Sequence, residues 1–361
     1  MSQKVANRSI VFYNSQSPPS VITEELDLGN CFSPSELVVK IHAAALNPVD
    51  FLLQGFAYSW LVGKGPKGFS RDYSGEVVKV GANVKDFKVG DKVSGLFQHL
   101  YGKQGTLCDY LILDPSKQPA ISKISPVGHP EYDDYVINAS WALVFGTAYQ
   151  ALHNYGQNLG PDSKVLVIGA STSVSNALIQ IAKNRMKIGT VVGICSKKSF
   201  EYNKKLGYDY LAAYDDGSTV ENVKQIMKNN MGNEKFDLIF DSVGNSEFFE
   251  CINDVLKDKC QNSHYVSVTG DKKLNYSNPR IRDSLPGWES IRRIGPFRKY
   301  NYKLLLLKPE ATFAKIGSEM IAQKQFVPAV DSVYAFEDYS KAFERLKSNK
   351  AKGKVVIQIS Q

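Results

Sequence analysis

Lys164-Val165-Leu166-Val167-Ile168-Gly169-Ala170-Ser171-Thr172-Ser173-Val174-Ser175-Asn176-Ala177-Leu178-Ile179-Gln180-Ile181-Ala182-Lys183 is the stretch that decides the fold. Residues 164–168 form a short apolar run rich in β-branched side chains, as expected of a buried strand. Gly169-Ala170 ends the run, and Asn176 to Lys183 has helical composition. A strand, a tight turn and a helix start bring free N–H groups and a positive dipole end to one point, which favours an anion such as a dinucleotide pyrophosphate. Such turns rely on glycines, because backbone must approach phosphate closely. Here one early glycine is followed by Ser171, Thr172, Ser173, Val174 and Ser175. A Cβ forced into a left-handed conformation costs about 1 kcal/mol or more. Hydroxyls, in contrast, donate to phosphate and cap helix starts well. The expectation is binding that is weaker than at a glycine-rich turn.

Outward from this stretch, helical segments alternate with short apolar strands at Val165–Ile168, Thr190–Ile194, Tyr210–Ala213, Phe236–Phe240 and Tyr265–Val268. The alternation predicts βαβ units and a doubly wound parallel sheet of Rossmann type over residues 135–308. The first third reads differently. Segments 36–44, 74–81, 87–95 and 106–112 are strand-like and punctuated by Gly and Asp, which predicts a partly open barrel. The proline-bearing stretch 119–132 is the expected boundary. After Pro309 a helix, a strand, a second helix and a last strand at 353–359 are predicted to return to the first domain, so that domain comprises residues 1–134 and 309–361. The fold class is therefore α/β with an added β-barrel domain.

With 361 residues, 43% hydrophobic and 22% charged, the chain has the composition of a globular protein with room for two cores. No apolar run approaches the roughly 20 residues needed to span a bilayer. Residues 1–4 lead into a strand-like segment at Ser9–Tyr13, and no secretory segment is read there. The five cysteines are scattered without a CxxC pair, which points to free thiols in a reducing compartment. An intracellular, cytosolic-side location is expected. The net charge is +8, much of it between Arg280 and Lys303, where seven basic residues face two acids. Within 286–307, aromatic and basic side chains precede Leu304–Leu307. The segment suits an anionic membrane surface, or else a buried strand beside solvated arginines. It matches no nucleic-acid reader motif, and no nucleic-acid partner is expected.

Four segments, in order, carry a family resemblance: Ala44-Ala45-Leu46-Asn47-Pro48-Val49-Asp50, Phe145-Gly146-Thr147-Ala148-Tyr149, the turn at Gly169, and Ala351-Lys352-Gly353-Lys354-Val355-Val356. Over essentially its whole length the chain resembles the zinc-free quinone oxidoreductase (zeta-crystallin-like) branch of the medium-chain dehydrogenase/reductase superfamily, and within it the yeast Yim family. The resemblance implies a GroES-like β-barrel domain beside the Rossmann domain. It implies hydride transfer from NADPH to a quinone or an α,β-unsaturated carbonyl, without zinc. It also implies a homodimer, and association with lipid droplets and mitochondria. The zinc-free assignment has support in the residues. The stretch that would carry a Gly-His-Glu ligand motif reads Phe69-Ser70-Arg71-Asp72-Tyr73-Ser74-Gly75-Glu76, with no histidine, and no cysteine follows Asn47-Pro48. The five histidines lie far apart, and no metal site is expected.

By the same resemblance, Asn47 packs beside the nicotinamide and Thr147 contacts its phosphate or ribose side. Gly169, Ala170, Ser171, Thr172, Ser173 and Val174 surround the diphosphate. Ser196 and Lys197 stand where an NAD enzyme has an acid for the ribose 2′-hydroxyl, and with Lys205 and Tyr214 they favour the 2′-phosphate of NADPH. Val243-Gly244 and Thr269-Gly270 line the nicotinamide half, although Gly244 and Gly270 also suit simple turns. Lys354 belongs to the same set. Tyr58, in the aromatic-rich loop 51–60, is the candidate proton donor. The alternative is a catalytically silent protein of this fold that acts at a membrane or lipid-droplet surface.

Overall fold

The computed structural model describes residues 3–270, 272, 273, 275, 276, 293 and 298–360. In chain order its strands are β1 (Lys4–Phe12), β2 (Ser20–Asp27), β3 (Leu37–Ala45), β4 (Lys67–Gly68), β5 (Asp72–Val80), β6 (Lys92–Leu96), β7 (Tyr110–Leu113), β8 (Ile121–Lys123), β9 (Lys164–Ile168), β10 (Thr190–Cys195), β11 (Tyr210–Ala213), β12 (Leu238–Asp241), β13 (His264–Ser267), β14 (Asn301–Leu304), β15 (Val330–Ala335) and β16 (Lys354–Gln358). They fall into two compact units. The first is built mainly from Met1–Gly146 and Lys308–Gln361, the second mainly from Thr147–Asn275.

In the first unit, seven strands run β15-β16-β3-β5-β6-β8 with β7 also on β3, and three more run β2-β1-β4. Strand β3 is the hub. Its end, Ala43-Ala44-Ala45, is fully buried, and the small side chains let β5 and β16 pair on either side of it. Phe51, Phe69 and Phe343 meet beneath this sheet, with ring centroids 4.7–5.5 Å apart. The helix Asp134–Ala139 starts with the Asp133 carboxylate accepting from the Val136 N–H. It is tied to β5 by the Ser74 hydroxyl, which donates to the Tyr135 carbonyl at 2.6 Å. Residues 134–146 therefore lie in the first unit, although the period of the sequence changes at 135. Strand β2 was not read from the sequence, because Thr23, Glu24 and Glu25 break its apolar alternation. The 87–95 segment becomes strand only from Lys92, because Gly90 turns the chain at φ +88°.

The second unit is a six-stranded parallel sheet in the order β11-β10-β9-β12-β13-β14. Strand β9 is central, and Val165 to Ile168 are buried. The following helix starts at Ser173, three residues before the apolar run suggests, and ends at Gln180. A π-helical turn over Ile181–Arg185 follows, closed by Met186 N–H to the Ile181 carbonyl at 3.0 Å. Much of the basic segment 286–307 lies outside the described residues. Within it, Arg293 is 8% exposed, with its guanidinium 3.3 Å from the Phe249 ring centre. That residue is core-facing, not part of a cationic surface.

Candidate functional site

The turn after β9 is shaped by Gly169. Its φ is +85°, and a Cβ there would lie 2.7 Å from Ser242 Oγ and 2.5 Å from Val243 Cγ1. This is the one position of the turn where only glycine fits. Thr172 is the N-cap of the helix, and its Oγ1 accepts from the Ser175 N–H at 3.2 Å. The hydroxyls of Thr172, Ser175 and Ser242 form a triangle with sides of 3.0, 3.0 and 3.1 Å. Ser171 Oγ accepts from Asn203 Nδ2 at 2.8 Å. The Thr172 hydroxyl is thus engaged inside the protein, whereas Ser171, an acceptor from Asn203, keeps its O–H for donation. Ser173 keeps its hydroxyl unpartnered, and the N–H groups of Ser173 and Val174 donate to no acceptor among the described residues. Two free N–H groups, the helix dipole and the left-handed Gly169 fit a phosphate. Ala170 is buried beneath the turn.

The neighbouring strand ends supply the rest of this edge. Asp241 is sealed from solvent, and its carboxylate accepts from the N–H groups of Val243, Gly244 and Asn245 at 2.9–3.0 Å and from the Tyr265 hydroxyl at 3.1 Å. Burial raises its pKa, against those donors. Asp241 therefore fixes the Val243-Gly244 turn, where a Cβ on Gly244 would collide with the Lys272 backbone at 2.3 Å. After β13, Ser267 Oγ accepts from Gly270 N–H at 3.0 Å, while Thr269 Oγ1 is buried without a partner among the described residues. Thr147 is buried in the helix Ala142–His153.

Beyond β10, Ser196 is buried and its hydroxyl lies 3.0 Å from that of Ser199. Lys197, Lys205 and Tyr214 are exposed. The structure adds an acid that the sequence did not suggest here: Asp215 Oδ1 accepts from the Lys197 N–H at 2.9 Å. Residues 18 apart meet because β10 and β11 pair in parallel, with Cys195 opposite Ala213.

In the first unit, Asn47 begins the helix Pro48–Phe56, and its N–H donates to Asp50 Oδ2 at 2.8 Å. Its side-chain amide is held on both ends. Nδ2 donates to Asp72 Oδ2 at 2.9 Å, and Oδ1 accepts from Lys354 Nζ. Lys354 also donates to Asp72 Oδ2 at 2.7 Å, and Asp72 Oδ1 accepts from the Leu143 N–H at 2.7 Å. Lys354, expected among the cofactor contacts, holds a buried carboxylate. A second buried pair adjoins: Arg71 Nη1 donates to Asp50 Oδ1 at 2.9 Å and Nη2 to the His99 carbonyl at 2.6 Å. Arg71 thus lies within the stretch that would carry a zinc motif, and its charge is met by Asp50. Burial pushes the Asp50 carboxyl up to about 6, with Arg71 opposing. Burial, reinforced by Arg71, pushes His99 down to about 4. Tyr58 is 39% exposed and stacked on Trp60 with ring centroids 6.5 Å apart. Among the described residues, no group of three or more His, Cys, Asp or Glu side chains could hold a metal ion. No described helix is long and apolar enough to cross a membrane.

Comparison with known proteins agrees with this architecture. The family model for the GroES-like domain of alcohol dehydrogenases matches residues 33–123, and that for zinc-binding dehydrogenases matches residues 206–357. Protein YIM1-1 of Lachancea thermotolerans is 75% identical over 99% of this chain and 100% of its own length. Protein YIM1 of Saccharomyces cerevisiae is 49% identical over 98% of each chain. Among solved structures, the quinone oxidoreductase of Coxiella burnetii superposes with a TM-score of 0.74 at 19% identity, covering 99% of this chain and 100% of that one. The CurK enoyl reductase does so at 0.73 and 17% identity, covering 98% and 99%. These superpositions carry the fold alone. With both family models and the whole-length YIM1 relatives in register, the chain belongs to the medium-chain dehydrogenase/reductase superfamily of oxidoreductases, within its YIM1 group.

Proposed function

We propose that the protein is a zinc-independent reductase that takes a hydride from NADPH and delivers it to a quinone or an α,β-unsaturated carbonyl. One observation carries this reading: the unpartnered N–H groups of Ser173 and Val174 beside left-handed Gly169, at the carboxyl edge of a parallel sheet. That is where open α/β sheets bind a dinucleotide diphosphate. When bound, the nicotinamide supplies the hydride, and the chain's own residues bind, orient and protonate. Ser196, Lys197 and Lys205 are assigned to the adenosine side, and Val243, Gly244, Thr269, Gly270 and Thr147 to the nicotinamide side. Asn47 acts through its fixed position, since both amide hydrogens go to Asp72 and the Ala45 carbonyl and its oxygen accepts from Lys354. Tyr58 is the candidate proton donor to the reduced acceptor.

Names among the structural neighbours, a quinone oxidoreductase and an enoyl reductase, fit this substrate class. The test is steady-state consumption of NADPH with a quinone and with an enone as acceptors. Turnover with either, reduced in Tyr58→Phe, supports the reading; no turnover with both counts against it. The inward-bonded Thr172 hydroxyl favours a second reading, in which the fold persists without turnover and serves a membrane or lipid-droplet surface. Saturable NADPH binding without turnover, together with flotation on anionic liposomes, is its signature.

A further inference from the structure

Dinucleotide folds that read a ribose 2′-hydroxyl take the acid for it from the end of the second strand. This chain has Ser196-Lys197 there, which on residue type alone points to a 2′-phosphate. The fold delivers a carboxylate to the same place from the next strand. Strands β10 and β11 run parallel with Cys195 opposite Ala213, and the Tyr214 N–H continues the ladder to the Cys195 carbonyl at 3.2 Å. The two chain segments that leave these strands are therefore neighbours, and Asp215 Oδ1 accepts from the Lys197 N–H at 2.9 Å. That N–H opens the short helical turn Lys197–Ser199. The adjacent Asp216 does something else: its carboxylate accepts from the Ser218 N–H at 3.0 Å and from Asn222 Nδ2 at 2.9 Å, at the start of the helix Thr219–Asn230.

From this geometry we infer that Asp215 is the specificity-determining residue for the adenosine ribose, and that it makes the protein accept NADH alongside NADPH. The inference rests on the cofactor reading above. A carboxylate held at Lys197 accepts a hydrogen bond from a 2′-hydroxyl and repels a 2′-phosphate. Lys197 and Lys205, both exposed, attract the phosphate in turn. The two effects oppose one another, so neither cofactor is excluded. The same Asp215 also keeps the Lys197 N–H from serving as a phosphate donor.

The test is equilibrium titration of the full chain with NADPH and with NADH, followed by nicotinamide fluorescence, for the unaltered protein, Asp215→Asn and Asp215→Ser. Both substitutions remove the charge, and Asn keeps an acceptor for the Lys197 N–H, so at least one variant is expected to fold. Removing one unit charge beside the 2′-phosphate shifts the ratio of the two Kd values toward NADPH by about tenfold. Tighter NADPH binding and unchanged or weaker NADH binding in either variant supports the inference. Binding of both cofactors with a ratio unchanged within about twofold overturns the role of Asp215 while leaving the cofactor reading intact. No saturable binding of either cofactor to any of the three proteins overturns both.

Discussion

Lys354 Nζ lies 2.7 Å from Asp72 Oδ2, with the two side chains 4% and 0% exposed, so two residues far apart in the sequence form a sealed ion pair. Asn47 bridges it and, through its own N–H, touches Asp50 of the second buried pair. Asp50, Arg71, Asp72 and Lys354 balance in charge. Such arrangements are costly to break from one side, because the remaining charge stays buried. Asp72→Asn or Lys354→Met should each destabilise the protein by about 3–5 kcal/mol. The double variant Asp72→Asn/Lys354→Met should recover at least half of that loss. Urea unfolding midpoints of the three proteins check this.

The pH dependence of stability should carry two opposed contributions from the first unit. The Asp50 carboxyl, raised to about 6, gives stability that is present below its unfolded value and is lost as pH rises through 6. His99, lowered to about 4, gives stability that is present above its unfolded value and is lost as pH falls through 4. Between those limits the two slopes oppose each other. Asp50→Asn should leave the His99 slope, with stability falling as the solution is acidified. His99→Gln should leave the Asp50 slope, with stability rising. Thermal unfolding across that pH window distinguishes the two.

Gly169→Ala should be expensive for two reasons. It places a side chain at φ +85°, and its methyl meets Ser242 Oγ and Val243 Cγ1. A loss above about 1 kcal/mol is expected from the conformation alone. Adding Ser242→Ala should relieve part of the clash, although Val243 remains. Thermal unfolding of the single and double variants measures the recovery.

Lys67 holds the loop that carries Tyr58. Its ammonium donates to the carbonyls of Tyr13, Gly63 and Gly65 at 2.9, 3.0 and 2.6 Å, and burial lowers its pKa. Lys67→Met leaves three carbonyls short of a donor, at about 1–3 kcal/mol for each that cannot reach water. Limited proteolysis should then cut within 58–65 faster than in the unaltered chain.

The central α/β unit was legible because its strands are continuous apolar runs, and such runs need no partner to be recognised. Val165–Ile168 and Tyr210–Ala213 are examples. The turn was legible in outline, since Gly169 is the one glycine the space requires. What the hydroxyls do was not: Thr172 finds Ser242 across 70 residues, and only the sheet brings them together. Asp72 was hidden for a similar reason. It starts a strand in a stretch read for an absent zinc motif, and its cation arrives on β16. Asp215 needed the parallel pairing of β10 and β11. Sequence reports residue types along one strand end, whereas a site is assembled from several.

The central claim, that the helix start at Ser173 and Val174 receives the cofactor diphosphate, is tested most directly by amide hydrogen exchange over residues 169–177 with and without saturating NADPH. Occupation of two free N–H groups should slow exchange at Ser173 and Val174 by about tenfold or more, while the Ser175 amide, already bonded to Thr172, changes little. Unchanged exchange at Ser173 and Val174 under saturating NADPH would contradict the account.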